Sequence, residues 1–170
     1  MTGDPIGFVL AFISLTPFAV FIAFVTLVLF KKELDTLLFL IGQLLNELLN
    51  VILKQIIQEP RPDKHVKAEQ AIKTYGMPSQ HSQFQAFFTF HCILFIVLRM
   101  QHKPWYFRYP LVLMLSVSLM MVVYSRVYLE YHFWSQVLVG ILTGFSWASV
   151  WFWFTYNFFE PRFFNTIISL

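Results

Sequence analysis

The sequence predicts an all-α fold: a multi-pass transmembrane bundle of about five helices, forming one membrane-embedded domain over residues 1–170. Hydrophobic residues make up 58% of the chain and charged residues only 12%, a balance typical of a protein solvated by lipid. Five apolar runs approach the roughly 20 residues that a helix needs to cross a bilayer. They cover residues 6–30, 36–57, 84–98, 110–124 and 134–156.

The flanks of these runs refine the prediction. The first run lacks the basic region and cleavage site of a signal peptide, so we expect a retained helix, kinked at Pro17. The third and fourth runs are short and are expected to extend into their polar flanks. The tail from residue 157 has too few apolar residues to span and is expected to lie at the interface.

Cys92 is the single cysteine and predicts no disulfide. A net charge of +3 without a basic run does not indicate nucleic-acid binding.

Basic residues divide unequally between the two sides that five crossings define. One side holds residues 31–35, 99–109 and the C-terminus; the other holds the N-terminus, residues 58–80 and residues 125–133. Because cytoplasmic loops carry an excess of Lys and Arg, the first side is predicted to be cytoplasmic. It carries Lys31, Lys32, Arg99, Lys103, Arg108 and Arg162, against Lys64, Lys67 and Lys73 outside the candidate site on the second side.

The second predicted helix carries a polar stripe at spacings of three and four residues, which places its members on one face. Glu47 lies well inside the span, where an ionisable group is costly and often functional. Two interpretations stay open for it: a hydrogen-bonded group that joins helices, which we favour, or a functional carboxylate. The stripe consists of Gln43, Asn46, Glu47, Asn50 and Lys54.

Three polar clusters lie on the side that faces away from the cytoplasm. Taken singly, each has a structural interpretation: a lysine that reaches the interface, a serine that caps a helix, or an interfacial histidine. Taken together they offer three cations, a helix N-terminus that attracts anions, and two histidines. The clusters are Lys54 with Arg61, Ser79 with His81, and Arg126 with His132.

Such a set suits phosphoryl transfer. The cations stabilise the charge of a transferring phosphoryl group, while one histidine attacks phosphorus and the other protonates the leaving oxygen. The clusters lack the carboxylates expected for magnesium, so we expect neither a metal nor another cofactor. His91, alone on the apolar third helix, is interpreted as a structural residue that is hydrogen-bonded inside the bundle.

These clusters resemble the type 2 phosphatidic acid phosphatase superfamily, whose pattern is Lys-x6-Arg-Pro, Pro-Ser-x-His and Ser-Arg-x5-His-x3-Asp. The surrounding residues are similar to the dolichyl diphosphatase family within it. The resemblance implies a metal-independent lipid diphosphatase of the endoplasmic reticulum membrane, with a lumenal site and a role in recycling the lipid carrier of N-glycosylation. It also implies that His132 is the nucleophile, that His81 is the general acid, and that the phosphate ligands are Lys54, Arg61, Ser79 and Arg126.

The chain departs from the superfamily pattern in three places. Gln136 replaces the final Asp, Gln80 stands where Gly or Ser is usual, and one helix fewer precedes the first motif than in the common six-helix core. The oxygen of Gln136, four residues after His132, can accept a proton from the imidazole and orient it, but carries no negative charge. Alternative functions are a phosphatase of another polyprenyl or phosphatidate-type lipid, or a non-catalytic relative that binds lipid phosphates.

Overall fold

The computed structural model describes residues 3–62 and 75–159, and every regular element in these ranges is helical. Five segments are long and apolar enough to cross a membrane, and α1 and α2 together form the first of them. The predicted all-α, five-span bundle is therefore confirmed. The elements are α1 (Pro5–Ile13), α2 (Thr16–Lys31), α3 (Leu34–Ile57), α4 (Gln80–Leu98), α5 (Trp105–Tyr128), α6 (Trp134–Phe154) and a π-helical turn (Thr155–Phe159).

The helices do not all begin and end where the apolar runs do. The first span is interrupted at Ser14 and Leu15, and Pro17 lies in the first turn of α2, where its missing N–H removes no helical hydrogen bond. The first span is thus broken, where the sequence predicted a kink. Helices α4 and α5 extend into their polar flanks, as expected. The predictions for Lys64, Lys67, Lys73, Arg162 and the tail beyond residue 159 lie outside the described residues.

The centre of the bundle is the close pair formed by α4 and α6. A Cβ at Gly140 would lie 2.7 Å from the Ser79 carbonyl oxygen, and one at Gly144 would lie 2.5 Å from that of Gln83. Only glycine therefore permits this separation, and small residues commonly allow such close packing between membrane helices. Helix α6 begins at Trp134, the first residue of the predicted fifth run, so His132 precedes the helix.

Aromatic side chains fill the half of the bundle away from the candidate site. The indole N–H groups of Trp147 and Trp151 each donate to a carbonyl of α3 at 3.0 Å, those of Gly42 and Leu38. His91 is buried here, with its ring 4.6 Å from the Phe39 ring. Its Nδ1 has no hydrogen-bond partner among the described residues. His91 is therefore a core residue that packs against rings, in agreement with its structural interpretation.

Contacts at the two ends of the bundle agree with the predicted sidedness of the loops. The Tyr128 hydroxyl donates to the Asp4 carboxylate at 3.3 Å, which brings the N-terminus to the end of α5. At the other end, the Arg99 guanidinium lies 5.6 Å from the centre of the Tyr156 ring. The candidate site therefore lies at the end of the bundle that also carries the N-terminus.

Candidate active site

The start of α4 is held by a buried amide network from the polar stripe of α3. The Gln83 side chain donates to the Asn46 carbonyl at 2.9 Å and to its side-chain oxygen at 3.0 Å. Asn50 donates to the Gln83 side-chain oxygen at 2.8 Å and to the Pro78 carbonyl at 3.3 Å. Because a buried amide is costly unless it is paired, this network fixes the turn that presents Ser79.

Ser79 occupies the predicted N-cap position of α4, with extended backbone angles of φ −66° and ψ 115°. Its side chain makes no capping hydrogen bond, whereas its Oγ accepts from Ser82 Oγ at 3.1 Å. The Ser79 hydroxyl therefore keeps its own hydrogen for a ligand, beside the first N–H groups of the helix. This arrangement suits an anion.

Arg126 lies in the last turn of α5 and is 6% exposed. Its guanidinium carbon is 4.4 Å from the centre of the Tyr131 ring, and its Nε has no hydrogen-bond partner among residues 3–62 and 75–159. Its carbonyl accepts from the backbone N–H groups of Tyr131 at 3.0 Å and His132 at 3.2 Å. The chain thus folds back after α5, and this turn places His132 beside Arg126.

The first motif supplies two further cations. Lys54 lies in the last turn of α3, which ends where Gln58 adopts a left-handed conformation with φ 54°. Pro60 and Pro62 flank Arg61, which is half-buried like Lys54. Both cations interact electrostatically with the two candidate histidines, as Arg126 does. The structure therefore brings together all six residues that the sequence singled out.

The Gln136 side chain determines which nitrogen of His132 carries the proton. Its Nε2 donates to Glu59 Oε1 at 2.9 Å and to the Pro60 carbonyl at 2.7 Å, which uses both of its hydrogens. Its Oε1 lies 3.0 Å from His132 Nδ1 and 3.3 Å from the Phe133 N–H. A flipped amide would oppose oxygen to oxygen at Glu59 and Pro60, and donor to donor at Phe133. His132 Nδ1 therefore donates its proton to Gln136, which leaves a lone pair on Nε2.

Burial lowers the pKa of the His132 imidazole from 6.5 to about 3, and the neighbouring cation Arg61 adds to this effect. The hydrogen bond to Gln136 opposes the shift in part. His132 is consequently neutral around pH 7, which is the state in which an imidazole nitrogen can act as a nucleophile.

His81 is half-buried in the first turn of α4, with its ring 5.9 Å from that of Phe18 in an edge-to-face contact. It borders a cavity of about 200 Å³ between α2, α3 and α4. In the wall of this cavity Glu47 accepts a hydrogen bond of 2.7 Å from the Gln80 side chain. This bond joins α3 to α4 and agrees with the favoured structural interpretation of Glu47.

Sequence reasoning missed the role of Glu59 and of its neighbour Gly76. The Gly76 N–H donates to the Glu59 carbonyl at 2.7 Å, and a Cβ at Gly76 would lie 2.6 Å from Gln136 Nε2. Glycine is needed there because the chain passes directly over the Gln136 amide. The signal available in the sequence was a carboxylate adjoining the Arg61 turn, but nothing in the spacing connects it to a residue 77 positions later.

Three cations, two histidines and a helix N-terminus lie at one end of a membrane bundle, an arrangement that suits phosphoryl transfer at the membrane surface. The sequence model of the PAP2 superfamily matches residues 35–160, and the chain belongs to this superfamily. The resemblance predicted from the motifs is confirmed. The protein is a lipid phosphatase of the PAP2 type, a hydrolase embedded in the membrane by several helices.

Individual relatives agree with this assignment. The chain is 46% identical over 167 residues to Dolichyldiphosphatase 1 of Homo sapiens, covering 95% of this chain and 70% of the relative. It is 34% identical over 155 residues to Dolichyldiphosphatase of Saccharomyces cerevisiae, covering 88% and 64%. A crystal structure of a transmembrane PAP2-type phosphatidylglycerolphosphate phosphatase from Bacillus subtilis has the same fold, with a TM-score of 0.73 at 24% identity, covering 91% of this chain and 79% of the other.

Proposed function

We propose that the protein hydrolyses dolichyl diphosphate to dolichyl phosphate and inorganic phosphate through a phosphohistidine at His132. The observation that carries the mechanism is the hydrogen bond from His132 Nδ1 to Gln136 Oε1 at 3.0 Å, because it holds the proton on Nδ1 and leaves the lone pair of Nε2 free to attack phosphorus. The substrate is inferred from the relatives named dolichyldiphosphatase, which match nearly the whole chain.

The reaction has two steps. In the first, His132 Nε2 forms a bond to the terminal phosphorus while the bond from phosphorus to the bridging oxygen breaks, and His81 protonates that oxygen as dolichyl phosphate leaves. In the second, water attacks the phosphohistidine, His81 takes a proton from the water, and phosphate departs as the bond from Nε2 breaks. Each proton that His81 gives is thereby regained.

Charge stabilisation in both steps is assigned to Lys54, Arg61, Arg126 and the Ser79 hydroxyl with the adjoining helix N-terminus. Preorganised donors of this kind stabilise the equatorial oxygens of the transferring phosphoryl group. Because these groups can stabilise the phosphoryl charge by themselves, we propose that the reaction needs no metal. Activity in the presence of EDTA is the measurement that tests it.

We place the site on the lumenal side of the endoplasmic reticulum membrane, where the reaction returns the lipid carrier of N-glycosylation to its monophosphate. The support is the charge of the opposite end, which carries Lys31, Lys32, Arg99, Lys103 and Arg108. Reaction of single cysteines, introduced at each end in a Cys92→Ser background, with a membrane-impermeant reagent in sealed microsomes tests this orientation. Labelling of the site end in intact vesicles would contradict it.

The deciding experiment is phosphate release from dolichyl diphosphate by the purified full chain in EDTA. We expect turnover by the wild type, a loss of at least about 10³-fold in His132→Ala and about 10²-fold or more in His81→Ala. The exposed His102, at the other end of the bundle, supplies a matched control: His102→Ala is expected to retain full activity.

Two further outcomes distinguish the alternatives. Faster turnover of undecaprenyl diphosphate or phosphatidate than of dolichyl diphosphate would replace the substrate but keep the chemistry. Binding of lipid phosphate by the folded protein, with neither turnover nor an alkali-stable phosphohistidine after brief exposure to ³²P-labelled substrate, would refute the enzymatic proposal in favour of a binding protein.

A further inference from the structure

Glu59 places a carboxylate at the candidate site. Neither phosphate binding nor the chemistry of the two histidines assigns a role to this group. It is half-buried immediately before Pro60, and its Oε1 accepts from Gln136 Nε2 at 2.9 Å. We propose that Glu59 is a positioning residue for His132 and acts through the Gln136 amide. This inference rests on the proposed function and deepens it.

The chain of hydrogen bonds has one direction. Glu59 accepts from Gln136, and Gln136 in turn accepts from His132 Nδ1 at 3.0 Å. An anionic acceptor on one side of an amide withdraws its N–H protons and makes its oxygen a better acceptor on the other side. Glu59 therefore strengthens the hold on the His132 proton, and it supports the positive charge that the ring acquires when Nε2 is phosphorylated.

This arrangement explains how the site operates without the acidic residue of the superfamily pattern at position 136. The negative charge is present, but it lies one hydrogen bond further from the imidazole and is supplied by the loop after α3. The Pro60 carbonyl takes the second hydrogen of Gln136 Nε2 at 2.7 Å, so the loop holds the amide at two points. Because Gly76 N–H donates to the Glu59 carbonyl at 2.7 Å, the loop is itself fixed.

The sign of the expected effect separates positioning from simple electrostatics. An anion beside a diphosphate repels the substrate, so a bystander carboxylate would lower the rate, and its removal would raise kcat/KM. A positioning carboxylate has the opposite effect on kcat, since its loss frees the imidazole to rotate and to place its proton on Nε2. KM is expected to stay constant or to fall in either case.

The kinetic test compares Glu59→Ala and Glu59→Gln with the wild type at saturating dolichyl diphosphate. We expect kcat to fall about 10- to 100-fold in Glu59→Ala, the range found for partners that orient the histidines of metal sites. Glu59→Gln keeps an oxygen that can accept from Gln136 and is expected to fall less, about threefold to tenfold. Glu33→Gln makes the same chemical change at the opposite end of the bundle and is expected to leave kcat unchanged.

A kcat within twofold of wild type in both Glu59 variants, or a rise in kcat/KM, would overturn the inference. Glu59→Gln preserves the side-chain volume, so this variant decides the question if Glu59→Ala fails to fold. The thermal midpoint of each variant shows whether it is folded. A loss of activity that tracks the thermal midpoint alone, equal in the two variants, would also count against positioning.

A second readout needs no substrate. In protein labelled with ¹⁵N-histidine, the His132 signals, identified by their absence in His132→Ala, report which ring nitrogen is protonated. We expect Nδ1–H in the wild type and a mixture of tautomers in Glu59→Ala. Nε2–H in the wild type would overturn the inference. The expected tautomers in a protein that does not hydrolyse dolichyl diphosphate would support positioning and refute only the proposed substrate.

Discussion

Replacing Gly140 by alanine tests whether the α4–α6 contact sets the geometry of the site. The new Cβ would lie 2.7 Å from the Ser79 carbonyl oxygen, whereas ordinary contacts begin at 3.4 Å. The start of α4 must therefore move away from α6 by about 0.7 Å. Overpacking of this kind costs about 1–3 kcal/mol of unfolding free energy. A displacement near 1 Å at reacting groups costs up to about 10²-fold in rate, so we expect kcat/KM to fall about 10- to 100-fold.

The assay is phosphate release together with the thermal midpoint in detergent. Gly42→Ala is the matched control, because its Cβ meets the Trp151 indole in the half of the bundle away from the site. We expect Gly42→Ala to lower the thermal midpoint to a similar extent while kcat/KM stays within about threefold of wild type. The reasoning is refuted if Gly140→Ala keeps kcat/KM within twofold, or if the two variants lose activity in equal measure.

Three other predictions follow from the site and the core. Asn50→Ala leaves the buried Gln83 side-chain oxygen without its donor and is expected to lower the unfolding free energy by about 1–3 kcal/mol, measured by thermal denaturation. Because the lowered pKa of His132 keeps the imidazole neutral well below pH 6, kcat/KM should fall only at low pH, where His132 becomes protonated. Gln136→Asp adds an anion that raises the pKa of His132, so this acid limb of the kcat/KM profile should move to higher pH. An unmoved limb would contradict the assignment. Trp151→Phe removes an indole hydrogen bond and should lower the unfolding free energy by about 0.5–1.5 kcal/mol, with kcat unchanged. A changed kcat would show that packing in the aromatic core affects the geometry of the site.

The helices and the clustering of the site were predictable because they depend on local composition and order. Apolar runs near the length of a bilayer crossing determine the spans, and alternating crossings bring Lys54, Ser79 and Arg126 to one side whatever the packing. The polar stripe of α3 likewise had to face protein. Both features depend on neighbouring residues in the sequence, so they can be predicted without knowledge of tertiary contacts.

Features that depend on particular tertiary contacts were not predictable. The acceptor for Gln136 lies 77 residues earlier in the chain, and periodicity carries no information about such a pair. The position of His132 depends on the return of the chain to the Arg126 carbonyl after α5, and the apolar runs carry no information about this turn. The packing of the His91 ring against Phe39 and Phe87 is likewise a tertiary contact that the spacing of residues does not indicate.

The ends of the helices that meet at the site have an electrostatic consequence of their own. Helices α4 and α6 begin there and present the positive ends of their dipoles, whereas α3 and α5 end there and would turn negative carbonyl ends toward an anionic substrate. Lys54 and Arg126 lie in the last turns of those two helices. Each cation thus masks a repulsive helix end, in addition to the phosphate contact proposed for it. Neutralising either one is therefore expected to do more than remove a proposed phosphate ligand, because it uncovers about half a negative charge facing the substrate.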